Sequence, residues 1–302
     1  MDRINKKFID IIAEERVKMQ EPMKQHTTFR IGGPAAYFLT PDTKEAVQKL
    51  VETCQEENMP YFILGNGSNL LVSDAGYPGV VIQLYRNFSA ITVEGNVIRA
   101  QAGALLSQIA NQALQAGLTG FEFAAGIPGT VGGAVVMNAG AYGGEMKQVL
   151  QEATVLTPQG EIITLTVDEL ELDYRTSIVK VKDYIVLEAV IRLETGDASQ
   201  IKAVMDDLRN KRVEKQPLEY PSAGSTFKRP EGHFAGKLIM DAGLRGYTVG
   251  GACVSEKHCG FVVNKGDATA ADVMQLISDV KRIVNEKYQI ELEEEVKILG
   301  EV

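Results

Sequence analysis

Apolar positions along this chain switch repeatedly between two spacings, and the switches predict a mixed architecture. The short run at 35–39 reads as a strand, and Lys44–Glu56 places its apolar residues at helical spacing. Residues 61–64, 79–84, 90–93 and 97–102 read as further strands, followed by a helix over 105–116. Stretches 152–157 and 161–165 predict a hairpin around Pro158-Gln159-Gly160, and 184–193 predicts another strand. An amphipathic helix is expected from the start of the chain through about Met19. Residues 199–214 form a charged helix that reads as a connector. Gln216-Pro217-Leu218-Glu219-Tyr220-Pro221 then breaks the pattern with two prolines, so a domain boundary is expected near this helix. Beyond it come helices at 235–242 and 270–287 and a final strand at 290–299. No internal repeat is visible.

The densest local signal is the tract 126–144, which begins Gly126-Ile127-Pro128-Gly129-Thr130-Val131-Gly132-Gly133. Glycine loses more backbone entropy on folding than any other residue, so it gathers where the chain turns sharply or lies against a ligand. Pro128 fixes one dihedral, and Thr130 is placed to cap a short helix starting near Val131. N–H groups presented at such a turn suit a diphosphate. On these residues alone, a tightly packed turn explains the tract equally well. A second loop, Gly65-Asn66-Gly67-Ser68-Asn69-Leu70, follows the strand at 61–64. It opens like a dinucleotide fingerprint, but its sixth position is Leu70 and no long helix follows, so the Rossmann assignment fails.

Further clusters carry chemistry-bearing side chains. Thr27-Thr28-Phe29-Arg30-Ile31-Gly32-Gly33 sets a lone arginine among hydroxyls and glycines. In Asp173-Tyr174-Arg175-Thr176-Ser177 the guanidinium could clamp a carboxylate with two prongs, or simply pair with a surface acid. Pro221-Ser222-Ala223-Gly224-Ser225 exposes a hydroxyl in a turn, yet no hydrolase elbow or neighbouring His–Asp pair accompanies it. The terminal run Glu291-Leu292-Glu293-Glu294-Glu295 reads on its own as a solvated face.

Composition narrows the class. The chain has 302 residues and a formal net charge of −9, which argues against a nucleic-acid partner. No apolar run reaches the ~20 residues that span a bilayer, and no secretory signal opens the chain. Three cysteines and three scattered histidines suggest neither a disulfide framework nor a metal site, so an intracellular, reducing compartment is expected.

In their order along the chain, TFRIGG, LGNGSNLLV, GIPGTVGGAVVMNAGAYG, DYRTS, PSAGSTFKRP, KHCGFVVN and EEVKILG resemble the UDP-N-acetylenolpyruvoylglucosamine reductase (UDP-N-acetylmuramate dehydrogenase) family. The resemblance runs from Thr27 to Gly300 and points to the branch lacking an extra substrate-covering loop. It implies an α+β chain: a two-lobed FAD-binding domain of the vanillyl-alcohol-oxidase (PCMH) type, then a smaller α+β substrate-binding domain. The boundaries expected are 1–85 for the N-terminal helix and first lobe, 86–205 for the second lobe, and 206–302 for the substrate domain. It implies that NADPH reduces bound FAD, which then reduces UDP-N-acetylglucosamine enolpyruvate to UDP-N-acetylmuramate for peptidoglycan.

Carried onto this chain, Arg175 and Glu295 hold and polarise the enolpyruvyl carboxylate and Ser225 gives the proton to C2. Arg30, Ile31, Gly32 and Gly33, then Gly65, Asn66, Gly67, Ser68, Asn69 and Leu70, line the FAD site. So do Gly126, Ile127, Pro128, Gly129, Thr130, Gly132, Gly133, Ala134, Asn138, Ala139 and Gly140. Tyr174, Lys215 and Lys228 are placed to bind the substrate, and no metal is implied. A cytoplasmic protein without nucleic-acid or membrane partners is the expectation; the sequence leaves the oligomeric state open, with a monomer favoured. Another oxidase of the same FAD fold and a non-catalytic nucleotide-binding module are the competing readings.

Overall fold

The structure, a computed structural model, describes residues 3–301 and divides them into two compact units. The first comprises residues up to Lys18, Tyr37–Asn66 and Val80–Arg212; the second comprises Met19–Ala36, Gly67–Gly79 and the chain from Val213 on.

In the first unit, Thr43 caps the helix Lys44–Glu56 by accepting the Ala46 N–H at 3.1 Å. The helix buries Val47, Leu50, Val51 and Cys54, the stripe that its spacing predicted. Strand Tyr61–Leu64 runs parallel to Tyr77–Gln83, with Tyr61 opposite Val80 and Leu64 opposite Gln83. A five-stranded antiparallel sheet follows, in the order Ile162–Thr166, Leu150–Leu156, Ile185–Arg192, Val97–Gln101, Ile91–Glu94. Its central strand Ile185–Arg192 is buried at all but two positions, Glu188 and Arg192, so it reads as a continuous apolar run.

In the second unit, four antiparallel strands lie in the order Ser222–Ser225, Phe261–Asn264, Ala252–Val254, Thr248–Val249. Helix Ala270–Tyr288 buries Val273, Leu276, Ile277, Val280 and Val284 in a cluster that also takes Phe29, Ile31 and Leu71. Thr269 and Asp272 close a capping box at its start, and Asp74 accepts the Ala270 and Ala271 N–H groups at 2.9 and 3.1 Å. Strand Lys297–Leu299 pairs in parallel with Leu70–Val72.

Two expected elements differ. The N-terminal helix stops at Ile11, and Val17–Pro22 is a strand. Pro22 biases Glu21 away from helix, and the β-branched Val17 suits the extended chain. The final strand is only Lys297–Leu299, because the acidic stretch before it meets 226–228 through an isolated bridge, Phe227 with Glu294, and not through a continuous ladder. Leu292 and Val296 of that stretch are buried, so it is not merely a solvated face. The strands at 248–264 went unforeseen because each is two to four residues long and glycine interrupts them. Among the described residues, no helix is long and apolar enough to cross a membrane.

Glu188 faces Arg99 at 2.7 Å and Lys44 at 3.0 Å. Burial pushes its carboxyl up, but hydrogen bonds from both cations outweigh burial and hold it below the ordinary carboxylate value. Glu188 is therefore more acidic folded than unfolded. Its stabilisation is complete above the ordinary carboxylate pKa and is lost as pH falls through the depressed folded value. Glu188→Gln should lower the melting temperature at neutral pH, and the gap to wild type should close as pH drops below about 4 in thermal melts.

Candidate functional site

In the first unit the two glycine loops meet. Asn66 Nδ2 donates to the Pro128 carbonyl at 2.7 Å, and the space a Cβ on Gly65 would take is filled by the Thr130 hydroxyl. Thr130 is buried at the N-cap of helix Val131–Val136, where the pattern placed it, but its side chain makes no capping bond. The N–H groups of Val131 and Gly132 go to the carbonyls of Ala104 and Ala102 at 2.8 and 2.9 Å. The helix start is thus partly consumed by the segment Ala102–Ala104. Gly132 also packs tightly, a Cβ there lying 2.9 Å from that of Ala102, whereas at Gly133 the nearest atom would be 3.8 Å away. Adjacent glycines of the tract therefore differ: Gly132 is packed, and Gly133 has room for a side chain.

Asn138 shows how the tract ends. It is left-handed at φ 41° and 2% exposed; its amide donates to Glu145 at 3.1 Å and accepts the Lys147 N–H at 2.9 Å. Its side chain fixes the loop 139–145 and is not turned outward.

The Asp173–Thr176 pair closes a tight turn with Tyr174 and Arg175 at its tip. Arg175 is left-handed at φ 57°, and its guanidinium carbon lies 5.2 Å from the Tyr174 ring centre. Such backbone is uncommon for arginine and marks positions held by their surroundings. Lys180 Nζ donates to the Arg175 carbonyl at 3.2 Å. Ser177, 1% exposed, donates to the Val136 carbonyl at 2.8 Å and caps the short helix Ile178–Val181, tying the turn to the glycine tract.

In the second unit, Thr28 organises the TFRIGG loop. Its N–H donates to the Gly67 carbonyl at 3.1 Å and its hydroxyl to the Ser222 carbonyl at 2.6 Å. Asn264 Nδ2 donates to the Phe29 carbonyl at 3.2 Å. Arg30 is exposed and left-handed at φ 57°, while Ile31 is buried. Gly67 is required: φ is +63°, and a Cβ would collide with the His26 carbonyl.

Ser225 ends strand Ser222–Ser225, opposite Phe261, after Gly224 at φ +77° shifts the register. Glu295 is brought beside it by backbone: its N–H donates to the carbonyl of Thr226, the next residue, at 2.8 Å. On the other side Asn69 Nδ2 donates to the Glu295 carbonyl at 3.1 Å, and the Asn69 carbonyl accepts the Lys297 N–H at 3.0 Å. Thr226 Oγ1 accepts the Val262 N–H at 3.0 Å, freeing its main chain to turn toward 294–296. Lys228 pairs with Glu293 at 2.6 Å, and Lys215 ends the helix Ala198–Lys215 on an exposed face.

His258 is structural. Its Nδ1 accepts the Gly260 N–H at 3.1 Å, and burial pushes its pKa down, so it is neutral near pH 7. The turn it holds carries the Gly260 carbonyl that accepts the Thr226 N–H at 2.8 Å. Thr28, Ser177, Thr226 and Asn264 lie within the motifs quoted from sequence but were given no role of their own. Only Ser177, a hydroxyl one residue before a helix start, carried a readable signal.

Residues 35–166 match the family described as FAD binding domain, and 216–299 match UDP-N-acetylenolpyruvoylglucosamine reductase, C-terminal domain. Fold and domains together define an α+β flavoprotein oxidoreductase of the two-lobed vanillyl-alcohol-oxidase type with an added C-terminal domain. The chain is 57% identical to the UDP-N-acetylenolpyruvoylglucosamine reductase of Agathobacter rectalis, over 99% of this chain and all (100%) of that one. It is 56% identical to the reductase of Clostridium perfringens, over 95% of this chain and 94% of that one. The crystal structure of the reductase from Thermus caldophilus superposes with a TM-score of 0.80 at 37% identity, covering 94% of this chain and 98% of that one. Alkyldihydroxyacetonephosphate synthase shares the fold alone, with a TM-score of 0.50 at 16% identity over 65% of this chain and 41% of that one. This chain belongs to the UDP-N-acetylenolpyruvoylglucosamine reductase family.

The residues present fit the FAD that this family implies. Two loops rich in glycine are joined at Asn66 and Pro128, and the backbone at Gly133 is open where a side chain would stand. Gly67→Ala should destabilise the flavin-free protein by about 1–3 kcal/mol in chemical denaturation. A change below about 0.5 kcal/mol would show that the loop shifts freely.

Proposed function

We infer that this chain is an NADPH-dependent flavoenzyme that reduces the enolpyruvyl group of UDP-N-acetylglucosamine enolpyruvate, giving UDP-N-acetylmuramate for peptidoglycan synthesis. The observation that carries this is 57% identity to a curated reductase across 99% of the chain, with both domain matches in order. FAD, when bound, supplies the two-electron carrier between NADPH and the vinyl carbon.

The chain's own residues then have three tasks: to bind, to polarise and to protonate. Arg175 is the clamp on the substrate carboxylate, and the strained backbone at its turn supports that assignment. Glu295 polarises the same carboxylate. Beside one it must be protonated or paired with a cation, because adjacent carboxylates do not both ionise freely. Ser225 donates the proton to C2, and Gly224 before it keeps the approach clear. Stabilising negative charge that develops on the carboxylate is the main electrostatic contribution. Tyr174, Lys215 and Lys228 bind substrate; the pairing of Lys228 with Glu293 must then loosen when substrate arrives.

The loops containing Arg30, Gly65 and Gly126 hold FAD, and the lobes 1–85 and 86–205 with the substrate domain 206–302 remain the functional division we favour. A cytoplasmic location belongs to this reading, and a monomer is the oligomeric state we favour. Purified protein should be yellow, bleach under anaerobic NADPH, and regain colour on addition of the UDP-linked enolpyruvyl sugar. Absence of bleaching would refute the reductase reading.

Ser225→Ala should leave flavin reduction by NADPH near wild type and slow reoxidation by substrate about 10²–10⁴-fold in stopped flow. Equal loss in both half-reactions would make Ser225 structural. Arg175→Lys should slow reoxidation about tenfold or more through loss of the fork, and unchanged turnover would remove the clamp.

A further inference from the structure

Arg212 lies at the end of the first unit, in the connector helix Ala198–Lys215. Its side chain lies over the start of the glycine tract: a Cβ on Gly126 would stand 3.3 Å from both its Cδ and its Nη1. Two lysines of this helix are paired with carboxylates one turn away, Lys202 with Asp206 and Lys211 with Asp207, each at 2.7 Å. The Arg212 guanidinium, among the described residues, has no carboxylate within ion-pair distance and makes no side-chain hydrogen bond. It is nevertheless half-buried, and burial pushes its guanidinium below its ordinary value, with Tyr142 offsetting part of this.

A partly desolvated cation without a partner opposes the fold that holds it, by less than a fully buried one would. The guanidinium stays protonated at neutral pH and carries five donors in a planar fork suited to phosphate. No fully buried side-chain nitrogen or oxygen lacks a partner among the described residues, so the group still reaches solvent and an incoming ligand. Gly126 carries no side chain that would occupy this space, and Asn66 holds the second glycine loop at Pro128, two residues along.

We propose that Arg212 is an anion-binding residue, its guanidinium taking a phosphate or diphosphate oxyanion of a bound nucleotide at the Gly126 end of the glycine tract. This rests on the reading of the tract as part of a nucleotide site. Three ligands of the reaction carry such an oxyanion: FAD, NADPH and the UDP-linked sugar. The shared chemistry is a phosphate group, and affinities measured one by one distinguish the source.

The test uses Arg212→Met and Arg212→Lys in the full-length protein. FAD is titrated into flavin-free protein, and NADP and the UDP-linked sugar into FAD-loaded protein, by calorimetry. Affinity for one of the three should fall about 10- to 100-fold in Arg212→Met, as for loss of a charge-assisted hydrogen bond, with Arg212→Lys recovering part of it. The ligand that moves names the source. The melting temperature of flavin-free Arg212→Met should equal or exceed wild type, because the residue is held for a ligand and not for the fold.

Inorganic pyrophosphate separates this proposal from the reductase reading. Binding by flavin-free wild type that Arg212→Met loses supports the site even if no nucleotide binds. The proposal is overturned if no affinity, pyrophosphate included, changes more than twofold. It is equally overturned if Arg212→Met melts lower and all affinities fall together.

Discussion

Loops dense in glycine must be held still by something other than their own side chains, and much of this structure is organised around that constraint. Ordering one residue's backbone opposes folding by about 1–2 kcal/mol, and glycine sits at the unfavourable end. A single hydrogen bond returns only about 0.5–1.5 kcal/mol net, so isolated bonds cannot fix such loops. Apolar anchors do the larger share: Val131 and Val135 under the glycine tract, and Phe29, Ile31 and Leu71 beside the other loops. The polar bonds then set register. Asn66 on Pro128, Ser177 on Val136, Asn138 on Lys147 and Thr28 on Gly67 and Ser222 each join one loop to the next.

The same economy explains how Ser225 and Glu295 come together from distant parts of the sequence. Regular pairing ends at Ser225, and Thr226 supplies a hydroxyl to the Val262 N–H in place of a main-chain acceptor. Its carbonyl then accepts from Glu295, whose own carbonyl is held by Asn69. Irregular backbone is tolerated here because every fully buried side-chain polar atom among the described residues has a partner. Strain collects in the loops too. Arg30, Asn138 and Arg175 are all left-handed, a conformation that persists only where surroundings impose it.

Much of the local architecture was legible because periodicity and capping are local. The helix Lys44–Glu56, the hairpin on Pro158-Gln159-Gly160 and the long helix from Ala270 each declare themselves within a dozen or so residues. The ends of the chain did not. The stretch after Ile11 has helical amphipathicity yet becomes a strand, and the terminal acidic run keeps only Lys297–Leu299 as strand. In both, long-range pairing overrides a local pattern, which a window along the chain does not contain.

Motif order along the sequence was enough to mark the family and the residue types its chemistry needs, because those depend on which side chains are present. Whether a given glycine packs or stays open was decided by tertiary structure: Gly132 lies against Ala102 while Gly133 does not, though they are adjacent. So was the fate of each donor. The sequence left open whether the first N–H groups of helix Val131–Val136 face a ligand or pack, and two of them bond Ala104 and Ala102. Tertiary structure also left Arg212 over Gly126 without a carboxylate partner, although its sequence neighbour Lys211 pairs with Asp207. Hydrogen-bond partners and desolvation are properties of what surrounds a residue in space, and that is settled only when segments far apart in the chain meet.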